Sequence, residues 1–278
     1  MAYDINSIES LSFREGVRTR IQMYLGSDDI EGTYQALKEI INNSTDEALA
    51  GYGKKIEINL NEEENSVYIR DYGRGVPFGI RENGENVLVS IYTKSHGGKF
   101  NHDVYKNASG LNGIGGSCVC LSSKEFEVQS IRNKKKAIAH FIKGELSDYK
   151  EIYPVNEKDG TIIWFIPDPE VFSNGEIGYS YERICSDIKD ISYLYSGIEF
   201  EVSNKTHINK YCAKNGIVDF ITDNLEKPLQ KHIITSSASD GTDSVEIAFQ
   251  WGTKRETGYV FVNGLRCPEG GTPITGAR

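Results

Sequence analysis

The chain has 278 residues, of which 38% are hydrophobic and 26% charged, with a formal net charge of −9; this suits a globular protein of one large or two small domains. A protein that grips DNA by its phosphates needs a basic face, whereas the one dense basic cluster, Arg132-Asn133-Lys134-Lys135-Lys136, reads as a solvated hairpin tip; any work on nucleic acid would leave the gripping to other parts. Neither a membrane-spanning apolar run nor a charged-then-apolar leader is visible, and Cys118, Cys120, Cys185, Cys212 and Cys267 lack metal-ligand spacing, so reduced thiols and a cytoplasmic location are expected.

Residues 1–20 are polar without a strong period and read as an arm or a loosely docked segment. From Gly32 to Ala50 the pattern is helical, with Leu37, Ile41, Ser44 and Ala48 on one stripe. Opposite that stripe stand Glu39, Asn43, Asp46 and Glu47, at i, i+4, i+7 and i+8. This second face reads either as a solvated acidic surface or as a working one. In the working case, a carboxylate that activates water lies one turn from a neutral oxygen ligand for Mg²⁺. Lys55–Leu60 and Ser66–Asp71 alternate as two strands around an acidic turn at 61–65. Asp71 shares parity with Val67 and Ile69, so it points to the buried face. A buried carboxylate needs a partner, either a buried arginine or the exocyclic amine of a purine. Gly73 and Gly75 follow at once and allow the close backbone approach that a flat base needs.

From Gly73 to about Gly116 the chain is rich in glycine and poor in period, as expected of a lid or a disordered stretch. It carries Lys94, Lys99 and the glycines 110, 113, 115 and 116. These glycines suit either a plain loop or a nest of N–H groups for an anion, with a helix starting near Gly115–Val119. No Gly-Lys-Ser/Thr closes the loop, which argues against a P-loop. Further strands are expected at Phe126–Ile131, Ala137–Ile142 and Thr161–Ile166, and a helix around Tyr181–Leu194. The order predicts an α+β fold, with helices on one face of a mostly antiparallel sheet. After Cys212 the texture changes to a helix at Gly216–Leu225 and strands at Val245–Trp251 and Tyr259–Asn263. The expected division is therefore 1–212 and 213–278.

The segments Glu39 to Glu47, Asp71 to Pro77 and Gly110 to Gly116, in that order, resemble the ATP site of the GHKL superfamily, the Bergerat fold. Val17 to Gly26, Asn43 to Gly51, Gly97-Gly98-Lys99-Phe100, Asp159-Gly160-Thr161 and Gly270-Gly271-Thr272 are similar to the ATPase subunit of type IIA DNA topoisomerases. The resemblance implies a two-layer Bergerat sandwich followed by the start of a transducer domain, binding ATP and Mg²⁺. It implies that Glu39 is the general base for the attacking water and Asn43 the Mg²⁺ ligand. Asp46, Gly73, Arg74, Gly75 and Pro77 would line the nucleotide pocket, and Asp71 would read the adenine amine with Thr161 sharing a water. Lys99, Tyr105 and the backbone of Leu111, Asn112, Gly113, Ile114, Gly115 and Gly116 would hold sugar and phosphates.

The implied partners are double-stranded DNA, a DNA-cleaving subunit and a second copy of the chain in an ATP-operated clamp, with no membrane. The rival is a nucleotide-gated clamp or chaperone of the same superfamily without topoisomerase activity, against which Gly270-Gly271-Thr272 speaks. Departures from the pattern are Ile21-Gln22 in place of Pro-Gly, Tyr72 beside Asp71, Asn112 for a usual His, and Pro273. The lysine that the resemblance places on the γ-phosphate is expected beyond Arg278. Nucleotide binding with little preference for ATP over ADP, and weak hydrolysis and dimerisation, are expected of these 278 residues.

Overall fold

The structure, a computed structural model, describes residues 11–95, 113–174, 177–225, 228–240, 244–253, 258–262, 265–267, 270, 272, 275 and 276. Its first element is a short helix, α1 (Phe13–Thr19). Ser12 caps it by accepting from the Glu15 N–H, while the Glu15 carboxylate accepts from the Ser12 N–H at 2.8 Å. This Ser-x-x-Glu box and the fully buried Val17 dock the segment on the core. The described part of residues 1–20 is thus not a loose arm. After α2 (Gln22–Leu25) comes α3 (Ile30–Leu49), which Asp29 starts by accepting from the Glu31 N–H at 2.8 Å. Leu37, Ile40 and Ile41 bury its apolar stripe in the core.

One eight-stranded sheet carries that core. Its strands are β1 (Lys55–Asn61), β2 (Ser66–Asp71), β3 (Ser123–Arg132), β4 (Lys135–Ile142), β5 (Glu145–Ile152), β6 (Gly160–Pro167), β7 (Glu199–Ser203) and β8 (Ile208–Tyr211). They lie in the order β5-β4-β3-β6-β2-β1-β7-β8, antiparallel at every step except β1–β7. On the inner face, Phe126, Phe165 and Val67 form one cross-strand row and Val128, Ile163 and Ile69 the next. α3 covers these rows together with α4 (Val87–Thr93), α5 (Gly115–Ser122) and α6 (Tyr181–Leu194). The result is the expected α+β sandwich, helices on one face of a mostly antiparallel sheet. Asn133 and Lys134 turn the β3–β4 hairpin with φ of 51° and 63°, and the basic cluster sits at that tip as expected.

Beyond β8 the chain leaves this sheet. Helix α7 (Ile217–Asn224) sets Phe220 edge-on against Tyr193 of α6, with ring centroids 5.3 Å apart. Among the described residues, β9 (Ile234–Ser239) pairs only with β10 (Ser244–Phe249), and β11 (Phe261–Val262) with β12 (Leu265–Arg266).

Several elements depart from the sequence expectation. α4 lies inside the stretch read as aperiodic; its sequence, Val-Leu-Val-Ser-Ile-Tyr-Thr, buries Leu88, Ser90 and Tyr92, which reads as a strand rather than a helix. Asn86 starts it by accepting from the Val89 N–H at 3.1 Å. β5 is an edge strand exposed along almost its whole length, so no alternation marks it. β7 and β8 are short, and β7 owes its place to parallel pairing with β1, far away in sequence.

α1 is fastened where the helical layer meets β6. Arg18 donates to Asp168 at 2.5 Å and to the Leu121 carbonyl at 3.1 Å, and Asp168 is 1% exposed. Removing the guanidinium would leave a buried carboxylate without its cation. Arg18→Met is therefore expected to lower stability by about 3–5 kcal/mol, read as a fall in the urea midpoint at unchanged slope.

Candidate functional site

Helix α3, the exit of β2 and the start of α5 converge on one region at an end of the sheet. α3 supplies Glu39, Asn43, Asp46 and Glu47, and none of the four is a solvated surface residue: Asp46 is 5% exposed and the others are half-buried. Glycine backbone covers Glu39, Asn43 and Glu47. A Cβ built on Gly115, the first residue of α5, would sit far inside contact distance of Glu39 Oε2 and 3.0 Å from its Cδ. One built on Gly116 would lie 3.7 Å from the Asn43 amide nitrogen. Glycine at 115 is what lets the two helices meet here.

Glu39 accepts from the Gln35 side chain at 2.9 Å through Oε1, leaving Oε2 toward Gly115. Burial pushes its carboxyl above the usual carboxylate range; the Gln35 hydrogen bond opposes the shift and the Asp46 charge adds to it. The α5 N-terminus has no side-chain cap at Ile114. The helix start, where backbone N–H groups and the positive end of the helix dipole favour an anion, therefore lies against Glu39 and close to Asn43.

Asp71 ends β2 and is 6% exposed, as its parity with Val67 and Ile69 predicts. Among the described residues no arginine meets it. Its Oδ1 accepts instead from the Gly73 N–H at 2.9 Å and from the Thr161 N–H of β6 at 3.1 Å. Burial raises its carboxyl to about 6, opposed by the hydrogen bonds from Gly73 and Thr161 and reinforced by the Glu47 charge. The surrounding backbone is drawn in tightly. A Cβ on Gly160 would strike the Asp71 carbonyl, and one on Gly73 would stand 3.1 Å from both Asp71 Oδ1 and Glu47 Oε2.

Arg74 and Glu47 bind each other. The guanidinium donates from Nε at 3.0 Å and from Nη2 at 2.9 Å, and stacks 4.0 Å over the Tyr52 ring. This fork ties the exit of β2 to α3. Sequence reading places Glu47 on the right face without its partner, because the pair is separated by 27 residues. Gly75, with φ of 70°, packs on β3, where a Cβ would lie 2.5 Å from the Ile131 carbonyl; Pro77 is exposed. Gly113 and Ile114 lead into α5. Lys99, Tyr105, Leu111 and Asn112 lie outside the described residues, as do Gly97, Gly98 and Phe100. Among the described residues no group of three or more His, Cys, Asp or Glu could hold a metal ion, and no helix is long and apolar enough to cross a membrane.

A raised Asp71 pKa has a definite sign. The folded protein holds that proton more tightly than the unfolded chain, so the contribution to stability is fully present below the ordinary carboxylate pKa and is lost as pH rises through about 6. Asparagine keeps an oxygen for both N–H donors and carries no charge. Asp71→Asn is therefore expected to raise stability at pH 7 by roughly 2 kcal/mol and to lose that advantage below about pH 4. Denaturant unfolding of both proteins across this range measures it.

Residues 28–170 match the family model described as histidine kinase-, DNA gyrase B-, and HSP90-like ATPase. The chain is 36% identical to the B subunit of DNA topoisomerase 4 from Borreliella burgdorferi, over 99% of this chain and 44% of the relative. It is 32% identical to the corresponding topoisomerase 4 protein of Enterococcus faecalis and to the DNA gyrase B protein of Streptococcus pyogenes, again over 99% of this chain but 41% and 44% of the relatives. It thus spans less than half the length of these curated relatives. The 43K ATPase domain of Thermus thermophilus gyrase B, solved in complex with an aminocoumarin, superposes with a TM-score of 0.72 and 29% identity, over 85% of this chain and 62% of that one.

Proposed function

The chain belongs to the histidine kinase-, DNA gyrase B-, and HSP90-like ATPase family, and from that premise we propose that it is the ATP-binding and ATP-hydrolysing module of a type II DNA topoisomerase. The observation that carries the reading is the meeting of a desolvated carboxylate with an uncapped glycine helix start. Glu39 touches Gly115, so an anion received at the α5 N-terminus lies beside a group able to take a proton. The chemistry is attack of water on the γ-phosphate, helped by positioning and by charge stabilisation from the α5 backbone.

The described polar residues at the strand exit and on α3 divide the work. Asp71 accepts the exocyclic amine of adenine through the oxygen that Gly73 and Thr161 leave over, and Thr161 shares a water with it. The fork of Glu47 and Arg74 holds the strand exit that carries Asp71. Mg²⁺ fits the donor set, since this ion is commonly held by one or two protein oxygens plus the substrate's phosphates. Asn43 would supply a neutral oxygen, and the ion would neutralise charge on the phosphates. The proposed setting is cytoplasmic: an ATP-operated clamp of two copies acting on duplex DNA, with DNA cleavage carried by a partner subunit or domain. The net charge of −9 supports leaving most of the DNA grip to other parts.

Glu39→Gln keeps the shape and the Gln35 contact but cannot take the proton. ATP affinity is expected to hold while turnover falls about 10²–10⁴-fold; hydrolysis at the parent rate would return Glu39 to a packing role. Because a base must be ionised and burial raises the Glu39 pKa, the turnover of the parent should climb with pH at values above the ordinary carboxylate range. Asp71→Asn sets a donor against the adenine amine and is expected to weaken ATP and ADP alike by about 1–3 kcal/mol, read by calorimetry. Nucleotide affinity unchanged in a stabilised variant would refute the base-reading role.

A further inference from the structure

Next to the two apolar rows of the inner sheet face stands a third row that is polar. Ser130 follows Val128 by two positions on β3 and lies opposite Thr161 of β6, whose N–H reaches Asp71 at 3.1 Å. Ser130 is fully buried, and Thr161 and Asp71 are 7% and 6% exposed. Asp71 and Thr161 have roles in the scheme above; Ser130 has none. A hydroxyl kept inside a core costs stability unless it is bonded, and this one has a definite target. Ser130 Oγ donates to the Val76 carbonyl at 2.6 Å, across 54 residues of chain. Val76 belongs to the run that leaves β2 and lines the proposed base pocket, and its side chain packs on the core. That run is tied at each residue from 73 to 76. Gly73 donates to Asp71 at 2.9 Å, Arg74 is forked to Glu47, and the Gly75 carbonyl accepts from Arg132 at 2.8 Å. A Cβ on Gly75 would lie 2.8 Å from Arg132 Cγ and 3.0 Å from the Gly160 carbonyl, so the run is threaded between the ends of β3 and β6. The Ser130 bond is the tie nearest Pro77, where the chain becomes exposed.

We propose that Ser130 is a positioning residue of the base pocket, its hydroxyl fixing the wall from Gly75 to Pro77 relative to Asp71. The inference rests on the ATP-site reading and adds to it a residue that acts through others. Ser130 itself is covered and meets no ligand. Both halves of the pocket are referenced to one cross-strand pair: Thr161 holds the carboxylate, Ser130 holds the wall, and sheet register keeps the two together. A hydrogen bond weakens steeply as its angle closes, so the contact of Asp71 with the adenine amine depends on where the wall sets the plane of the base. A wall held before the nucleotide arrives does not have to be ordered at the moment of binding. Packing alone would be served as well by alanine at this position; the wall is what gives the hydroxyl its use.

The experiment is calorimetric binding of ADP, and of an ADP analogue with hydrogen in place of the exocyclic amine, to the parent, Ser130→Ala and Ser130→Cys. Alanine removes the hydroxyl, and cysteine fills its space but donates weakly. The ratio of the two affinities measures what the contact between Asp71 and the amine is worth, and its change in a variant measures the coupling to Ser130. The parent should prefer ADP by about tenfold. Both variants should bind ADP about threefold to tenfold more weakly and the analogue as the parent does, which shrinks the preference to about threefold or less. A folded variant of either kind that keeps the parent's preference overturns the proposal. So does a loss of affinity for both ligands by the same factor, which would make Ser130 a packing residue only. A parent that binds the two ligands equally, or binds neither, overturns instead the ATP-site reading with Asp71 on the base, an outcome distinct from these.

Discussion

A carboxyl kept inside the apolar layer organises the functional end of this molecule. Asp71 sits at the last position of β2 with its side chain turned to the core, and water is replaced by two backbone N–H groups, one from its own turn and one from β6. Satisfying it this way dictates the surroundings. Gly73 must come close enough to donate, and Gly160 must let β6 run against the Asp71 carbonyl. The Glu47–Arg74 fork then holds the turn against α3. Two hydrogen bonds offset part of the desolvation cost but not all of it, which is why the carboxyl still titrates near 6.

That residual cost gives the acid its proposed use. A buried acceptor with unspent capacity favours a ligand able to supply a donor, and it does so at the expense of the ligand-free fold. Sites of this kind trade stability for function. Glu39 follows the same logic: the glycine start of α5 excludes water from its carboxylate without giving it a cation. Its raised affinity for a proton suits a group whose proposed task is to accept one.

The helical layer and the sheet are joined at their ends by long-range contacts. Arg18 connects α1 to the end of β6 and to the last turn of α5, while the other end of α5 meets Glu39 and Asn43. α5 is therefore pinned at its C-terminus and presented, uncapped, at its N-terminus. Tyr92 and Gly116 fit together beneath that N-terminus, a complementarity of large and small that fills space without a void.

Much of this is legible in the residues themselves. The helical period of α3, the alternation of β1 and β2 and the inward parity of Asp71 are local properties, set by 3.6- and 2-residue geometry, and a sequence states them directly. Glycines at 73, 115 and 116 mark places where backbone must come close, although not what it must approach. Whether the face of Glu39, Asn43, Asp46 and Glu47 is solvated or covered lies beyond the sequence, since the cover comes from α5 and the turn after β2. The partners of Asp71 and Arg74 are hidden for the same reason, one bond spanning 90 residues and the other 27. α4 escapes a sequence reading because a helix packed on several sides loses the amphipathic period that announces it, and Tyr92 is hidden with it. Periodicity reports which side of its own element a residue occupies; which elements then face each other is decided by sheet order and packing, and only the tertiary structure carries that information.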